Sequence, residues 1–467
     1  MADPHIKKIA LLGFDREGRS VLRFLADDPE FRGADIWILD KKEDIELPAG
    51  ANVRSQLGAR YLDDLDRFDV IFRTAGARYH MPELQAAIAH GVTVSSATKL
   101  FFERCPGTII GVTGTKGKGT TSTLIYEILK RGGKKAFIAG NIGRPAVDIL
   151  PEMDRDSWAV LELSSFQLID LETSPHIGVA LMVTSEHLDW HTDVEEYAAA
   201  KANVVRFQSP DDFAVLAEDY PRSAAYADLT AGSVFTFSRR HPVKKGTWVE
   251  GGAFRFAGDD GTNGGATETI CPVDTLHIPG EHNWENAGAA ITVGKIAGIS
   301  NGDIAAAIDD FRGLEHRLEF VAEKGGVRWY DDSYSTMPDA AEVALAAFDE
   351  PKIMILGGSS KGADFSSLAE AIRGSKSVKA IIGVGAEWPR IKEAILAANN
   401  TPAPSSLPPS ILLLEGCTDM EAIVRAARGA AAPGDVVILS PACASFGMFK
   451  NYTERGDQFK AEVRRLT

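Results

Sequence analysis

The segment Thr108 to Ser122, TIIGVTGTKGKGTTS, decides the fold. Ile109, Ile110 and Val112 form a short apolar run of the kind that makes a buried parallel strand. Gly114, Gly117, Lys118 and Gly119 follow, and Thr120 to Lys130 reads as a helix with Leu124, Ile128 and Leu129 on one face. Strand, glycine-rich turn, lysine and helix start make a phosphate cradle. The glycines let successive N–H groups turn inward, and the helix N-terminus adds partial positive charge. Lys118 is placed to reach β- and γ-phosphates, and the hydroxyl of Thr120 or Thr121 to meet a magnesium ion. The general P-loop pattern has Gly at the position of Val112 and Ser or Thr at the position of Gly119, so this loop is a variant. A βα turn that merely needed glycines would not need the lysine and hydroxyls in this order. Gly114, Thr115, Lys116, Gly117, Lys118, Gly119 and Thr120 are therefore expected to bind a triphosphate.

Upstream, residues 1–104 read as a first α/β unit. Strands are expected at Ile9 to Phe14, Ile36 to Leu39 and Val70 to Phe72, with a helix at Glu17 to Ala26. The turn Gly13-Phe-Asp-Arg-Glu-Gly18, with Asp40 further on, invites a dinucleotide reading. Asp15, however, stands where a pyrophosphate needs glycine, so a nucleotide-binding sheet without a redox cofactor is expected. A sheet with no ligand is the competing reading. Cys105-Pro-Gly107 punctuates the boundary.

Downstream, residues 105–314 form the second unit. Strands are expected at Ala136 to Ala139, Trp158 to Leu163 and Ile177 to Thr184, each ending in polar residues where parallel sheets carry their sites. Glu162 is a natural magnesium ligand. His187 alone would be an ordinary histidine, but Glu162, Glu186 and Asp189 near it point to a second metal or anion site. Residues 245–270 read as a β-meander or exposed insert without chemistry. Asn283 and Asn286, three apart on one helix face, suit an adenine edge; capping by Asn283 is the alternative. Residues 315–467 form a third parallel unit, with strands at Lys352 to Leu356, Val378 to Val384, Ile411 to Leu414 and Val436 to Leu439. Asp331-Asp-Ser333, Lys361 and Ser440 to Ser445 end strands there and could line one pocket.

The chain has 467 residues, too many for one ordinary core, and a net charge of −15, which argues against nucleic-acid or anionic-membrane binding. Its four cysteines have no metal-like spacing, and free thiols in a reducing compartment are expected. No apolar stretch approaches the roughly 20 residues of a membrane span, and the N-terminus lacks a signal-peptide layout. A cytoplasmic enzyme is expected.

Gly114-Thr-Lys-Gly-Lys118, Glu162-Leu-Ser-Ser-Phe-Gln167, Gly280-Glu-His-Asn-Trp-Glu-Asn286, His316-Arg317, Leu439-Ser-Pro-Ala-Cys-Ala-Ser445, Lys450-Asn-Tyr452 and Arg455-Gly456 resemble the Mur ligase family over all three units. The resemblance implies an α/β fold of three domains, each a mainly parallel sheet with flanking helices. A Rossmann-like UDP-sugar domain would span residues 1–104, a P-loop ATPase-like domain 105–314, and a Rossmann-like amino-acid-binding domain 315–467. It implies an ATP-dependent amide ligase, a monomer, that adds glutamate to UDP-N-acetylmuramoyl-L-alanine through an acyl-phosphate, with two magnesium ions. By similarity Thr120 and Glu162 hold one ion; His187 and a carbamylated Lys201 hold the other. Asn283, Asn286, Arg317 and Asp332 would hold ATP, and Lys118, His187, Lys201 and Arg317 would carry the catalysis. Arg16, Lys41, Thr74 and Asn141 match the UDP-sugar positions; Thr336, Lys361, Ser445 and Tyr452 match the glutamate pocket. Glu186 replaces a family aspartate, Tyr334 a lysine and Gly447 an aspartate, which leaves D- or L-glutamate open. Gly119 also resembles folylpolyglutamate synthases of the same superfamily, although these lack a separate N-terminal domain of this kind. A nucleotide-regulated binding protein without catalysis is the non-enzyme alternative.

Overall fold

The computed structural model describes residues 8–47, 53–187, 190–258, 267–360, 362–397 and 411–467. Asp189, Lys361 and the Pro/Ser/Asn-rich segment from Asn399 to Pro409 lie outside the described residues. Within them are three sheets, shared between two compact units. One unit comprises Met1–Thr275 and Trp284–Asp309, the other Leu276–Asn283 and Asp310–Thr467. The first two expected domains thus pack into a single unit.

The first sheet contains β1 (Lys8–Leu12), β2 (Asp35–Asp40), β3 (Val53–Leu57), β4 (Val70–Arg73) and β5 (Thr93–Ser96), ordered β3-β2-β1-β4-β5 and parallel throughout. β1 is wholly apolar after Lys8 because helices cover both faces of a parallel sheet. β3 and β5 were not expected from the sequence: VRSQL and TVSS are edge strands, too polar to register as apolar runs.

The second sheet contains β6 (Thr108–Thr113), β7 (Lys135–Gly140), β8 (Ser157–Glu162), β9 (Ile177–Ala180), β10 (Phe213–Ala217), β11 (Ser233–Ser238), β12 (Gly246–Glu250), β13 (Ala253–Ala257) and β14 (Thr267–Pro272). Its order is β14-β13-β12-β11-β10-β9-β6-β8-β7, parallel from β7 to β12 and antiparallel beyond. The meander expected at residues 245–270 is therefore part of this sheet. It is not an exposed insert, since Phe254 and Trp248 are buried. β6 lies between β8 and β9, so the phosphate loop leaves the middle of the sheet. Full burial of Ile110 and Val112 there contributes roughly 1.5–3 kcal/mol per side chain.

The third sheet belongs to the second unit. It contains β15 (Glu319–Lys324), β16 (Val327–Asp331), β17 (Lys352–Gly357), β18 (Val378–Val384), β19 (Leu412–Leu414) and β20 (Val436–Leu439), ordered β15-β16-β20-β17-β18-β19. Only the β15–β16 pair is antiparallel. The ends of β16 and β20, which are neighbours, carry the Asp331–Ser333 and Ser440–Ser445 turns to one place.

Candidate active site

β6 ends at Thr113, and the helix Lys118–Arg131 starts after Gly114 to Gly117. Gly117 caps the helix at φ +86°, and a Cβ there would lie 2.3 Å from Asn286 Oδ1. Glycine alone lets the turn pass that closely. Thr115 is locked in place: its N–H donates to Met182 O (2.7 Å), and its hydroxyl oxygen accepts from Thr184 N and Tyr197 OH (3.0 Å each). The buried Thr121 hydroxyl donates to Asn286 Oδ1 (3.2 Å). Lys118 Nζ donates to Gly114 O (2.9 Å) and Thr115 O (3.1 Å), so the lysine folds back over its own loop.

Glu162 and Lys201 flank this turn, and His187 follows β9 near Phe166. Glu162 closes β8, paired with Val112 of β6; it is buried, and its Oε1 accepts from Asn141 Nδ2 (2.7 Å). Lys201, on the helix Val194–Ala202, is 1% exposed, and its Nζ donates to Gly114 O (2.9 Å). Burial, then the nearby Lys118 charge, pushes the Lys201 amine well below its ordinary range. The neutral form is thereby favoured, and that is the form which reacts with carbon dioxide. His187 is exposed, with φ +57°, and its ring lies 4.9 Å from that of Phe166. Glu186 pairs with Lys116 at 2.7 Å. The hydroxyl of Thr120 and the carboxylate of Glu162 are oxygen donors of the kind a hard cation takes.

Sequence reasoning missed His191. It is buried, with Nε2 at 2.9 Å from Ser165 Oγ and Nδ1 at 3.3 Å from Glu196 Oε1. It fastens the segment after His187 to the turn after Glu162 and to the helix of Lys201. The four-residue spacing from His187 was the available signal.

On the first sheet, Arg16 NH1 donates to Gly143 O (2.7 Å), which brings it to the loop of Asn141. Thr74 is buried and its hydroxyl donates to Leu12 O (3.1 Å); Lys41 is exposed after β2. Asp15 caps the helix Arg16–Asp27 by accepting from Glu17 N and Gly18 N. Asp40 Oδ2 accepts from Phe14 N (2.8 Å) and its Oδ1 from Lys42 N (2.9 Å). Asp15 thus fills the helix start where a dinucleotide fold needs glycine beside its pyrophosphate, while Asp40 closes β2 where such folds carry the acid that meets the ribose.

In the second unit, Asp332 is buried and accepts from Ser440 Oγ (2.7 Å), Ser335 Oγ and Leu318 N (3.1 Å). Burial raises its carboxyl to about 6. Arg455, buried on the helix Tyr452–Arg465, donates to Ser333 Oγ (2.9 Å), Ser333 O (2.8 Å) and Cys443 O (3.2 Å), tying the two turns together. Tyr452 packs edge-on to Tyr334 at 5.2 Å, and the half-buried Arg317 lies 5.9 Å from the Tyr334 ring. Ser445 is buried and Thr336 half-buried. His316, Glu319 and Asp331 lie within metal-binding reach of one another, but Lys460 Nζ, 3.1 Å from Glu319, already supplies positive charge. Asn283 belongs to this unit and Asn286 to the other, although both are on the helix His282–Ile296; Asn283 Nδ2 donates to Pro279 O (2.7 Å).

The Asp332 shift makes a prediction. Its ordinary value is 3.8, so between about 4 and about 6 the native state keeps a proton that the unfolded chain has lost. Stability should fall as pH rises through that window. Asp332→Asn should flatten this slope in urea titrations run from pH 4 to pH 7; an unchanged slope refutes the assignment.

Residues 112–294 match the Mur ligase middle domain, and residues 316–443 match the Mur ligase, glutamate ligase domain. A UDP-N-acetylmuramoylalanine–D-glutamate ligase of Acetivibrio thermocellus is 38% identical over 98% of this chain and 96% of its own length. The chain belongs to the Mur ligase family. A relative with the same description from Symbiobacterium thermophilum is 36% identical over 99% of this chain and 98% of its own. Among solved Mur ligases, a MurF structure from Acinetobacter baumannii has a TM-score of 0.60 at 15% identity, covering 100% of this chain and 93% of that one. MurC from Thermotoga maritima has a TM-score of 0.56 at 17% identity, covering 98% of this chain and 99% of that one. These likenesses bear out the α/β Mur ligase fold. No helix among the described residues of this Mur ligase is long and apolar enough to cross a membrane.

Proposed function

We propose that this Mur ligase is an ATP-dependent amide ligase that joins D-glutamate to UDP-N-acetylmuramoyl-L-alanine in peptidoglycan precursor synthesis. The observation that carries the reading is the near-full-length kinship, at 38% identity, with ligases named for that reaction. The geometry of the phosphate loop supports it. ATP supplies the phosphoryl group that activates the alanine carboxylate as an acyl-phosphate, and magnesium neutralises the charge that develops. Lys118 turns from its loop carbonyls to the phosphates. Thr120 and Glu162 hold one ion; His187 and Lys201, carbamylated through its neutral amine, hold a second. Asn283, Asn286, Arg317 and Asp332 bind the nucleotide. Arg16, Lys41, Thr74 and Asn141 bind the UDP-sugar; Thr336, Lys361, Ser445 and Tyr452 bind the incoming amino acid, whose amine displaces phosphate. Residues 1–104, 105–314 and 315–467 serve these three tasks in turn. The enzyme acts in the cytoplasm as a monomer.

Tyr334 favours a second reading for the amino acid. An exposed tyrosine packed on Tyr452 stands where the family carries a cation, so L-glutamate is the alternative donor of the amine. ADP release with UDP-N-acetylmuramoyl-L-alanine, comparing D- with L-glutamate, decides between them. Dependence on both the UDP-sugar and D-glutamate is expected. Preference for L-glutamate would reverse the stereochemical assignment, and turnover with a folate instead would overturn the substrate class.

A further inference from the structure

The side chains of Arg73 and Asp170 are each 1% exposed and form an ion pair at 2.7 Å. Arg73 closes β4, and its guanidinium also donates to Ala77 O (2.9 Å) and, more weakly, to Thr74 O (3.3 Å). On the other side it donates to Phe166 O (2.9 Å), in the short helix Ser165–Leu168 that follows Glu162. Asp170 has Lys99 Nζ at 3.2 Å from its other oxygen. The planar fork of one buried arginine therefore grips two segments at once: the Thr74 to Ala77 turn after the first sheet's β4, and the short helical segment Ser164 to Asp170 after β8 of the second. Glu17 makes a parallel tie. Its carboxylate accepts from Ala75 N (3.1 Å) and from Gln167 Nε2 (2.8 Å).

Two charges taken wholly out of water cost more than stability requires, since apolar residues of similar volume would pack the same place at least as well. What an apolar pair could not do is fix the carbonyls of Thr74, Ala77 and Phe166 in direction. We infer that Arg73, held by Asp170, is a positioning residue that sets the Thr74–Ala77 turn for the UDP-sugar relative to Glu162 and the phosphate loop. The inference rests on the assignment of Thr74 and Asn141 to the UDP-sugar.

The test uses the intact chain, with UDP and UDP-N-acetylmuramoyl-L-alanine as probes. Arg73→Lys keeps the charge and loses the fork. It should raise the KM for the UDP-sugar about tenfold, the effect of losing a charge-assisted hydrogen bond, and leave the KM for ATP within about twofold. Equal shifts in both overturn the inference. The double variant Arg73→Met/Asp170→Leu removes the buried charges together and should keep the wild-type Tm. In it, UDP binding measured by calorimetry should stay weakened about tenfold. Wild-type UDP affinity in this double variant would make the pair a packing element only and refute the inference. Thr74→Val tests the underlying assignment separately. If it binds UDP as wild type does while Arg73→Lys does not, the UDP-sugar residue is misassigned and the positioning role stands. If the wild type itself shows no saturable binding of either probe, both fall.

Discussion

Lys118→Ala should lower ADP release by about 10²-fold to 10³-fold or more, with the fold kept. The lysine is half-buried, and it donates hydrogen bonds to two carbonyls of its own loop. Alanine is a good helix former, and the Gly117 cap and the Thr121–Asn286 bond do not depend on the ammonium. The folded structure therefore loses little. On the proposed reading the transition state loses a fixed positive charge, because phosphoryl transfer spreads negative charge over the triphosphate oxygens. ATP binding should weaken less than turnover, because the backbone N–H groups and the helix start remain. Comparing ADP release with ATP titration calorimetry separates the two. Turnover within tenfold of wild type would remove Lys118 from the chemistry.

Lys201→Met should lower turnover by about 10²-fold or more while raising stability near neutral pH. Methionine fills nearly the same buried volume without an amine. The sign of the stability change follows from proton counting. The unfolded chain holds the proton up to about the ordinary value of 10.5, whereas the native amine, depressed by burial, releases it earlier. The unfolded state binds more protons in that window, so wild-type stability rises with pH up to about 10.5, and the methionine variant should lose that rise. Urea titrations across the alkaline range check the slope. Depleting dissolved carbon dioxide should depress wild-type turnover, with recovery on adding bicarbonate, and the methionine variant should respond to neither. An active Lys201→Met enzyme would eliminate the carbamate.

The phosphate loop, its flanking strand and helix, and the strands β17, β18 and β20 were legible because their apolar runs are bounded by glycines and polar residues. β3 and β5 were not, because edge strands bury one face at most, and β10 and β11 were passed over. Glu162 was legible as a carboxylate ending a strand. Lys201 had no chemical reading from its own helix, Tyr197-Ala-Ala-Ala-Lys201, where it looks like any surface lysine; only the resemblance singled it out. The fold supplies the missing fact by carrying the helix back over Gly114. Arg73 and His191 escaped for a related reason, and Arg455, quoted in a motif, was given no role. Their partners lie 97, 26 and 122 residues away along the chain, distances over which no local pattern is informative. For Arg73 the hint was its place at the end of the otherwise apolar Val70-Ile-Phe-Arg73, since a charge in a wholly buried strand needs a distant partner.

Asp15 and Asp40 have a consequence for what this sheet can become. Asp15 is a resident carboxylate at the helix start, where a pyrophosphate would otherwise sit, and Asp40 is tied to two backbone amides at the end of β2. A sheet furnished in this way resists conversion to a redox-cofactor site by a single glycine replacement. Removing Asp15 would uncap the helix Arg16–Asp27, and Asp40 would still be pinned to the Phe14 and Lys42 amides. Asp15 therefore serves the fold itself, as the cap of the first helix.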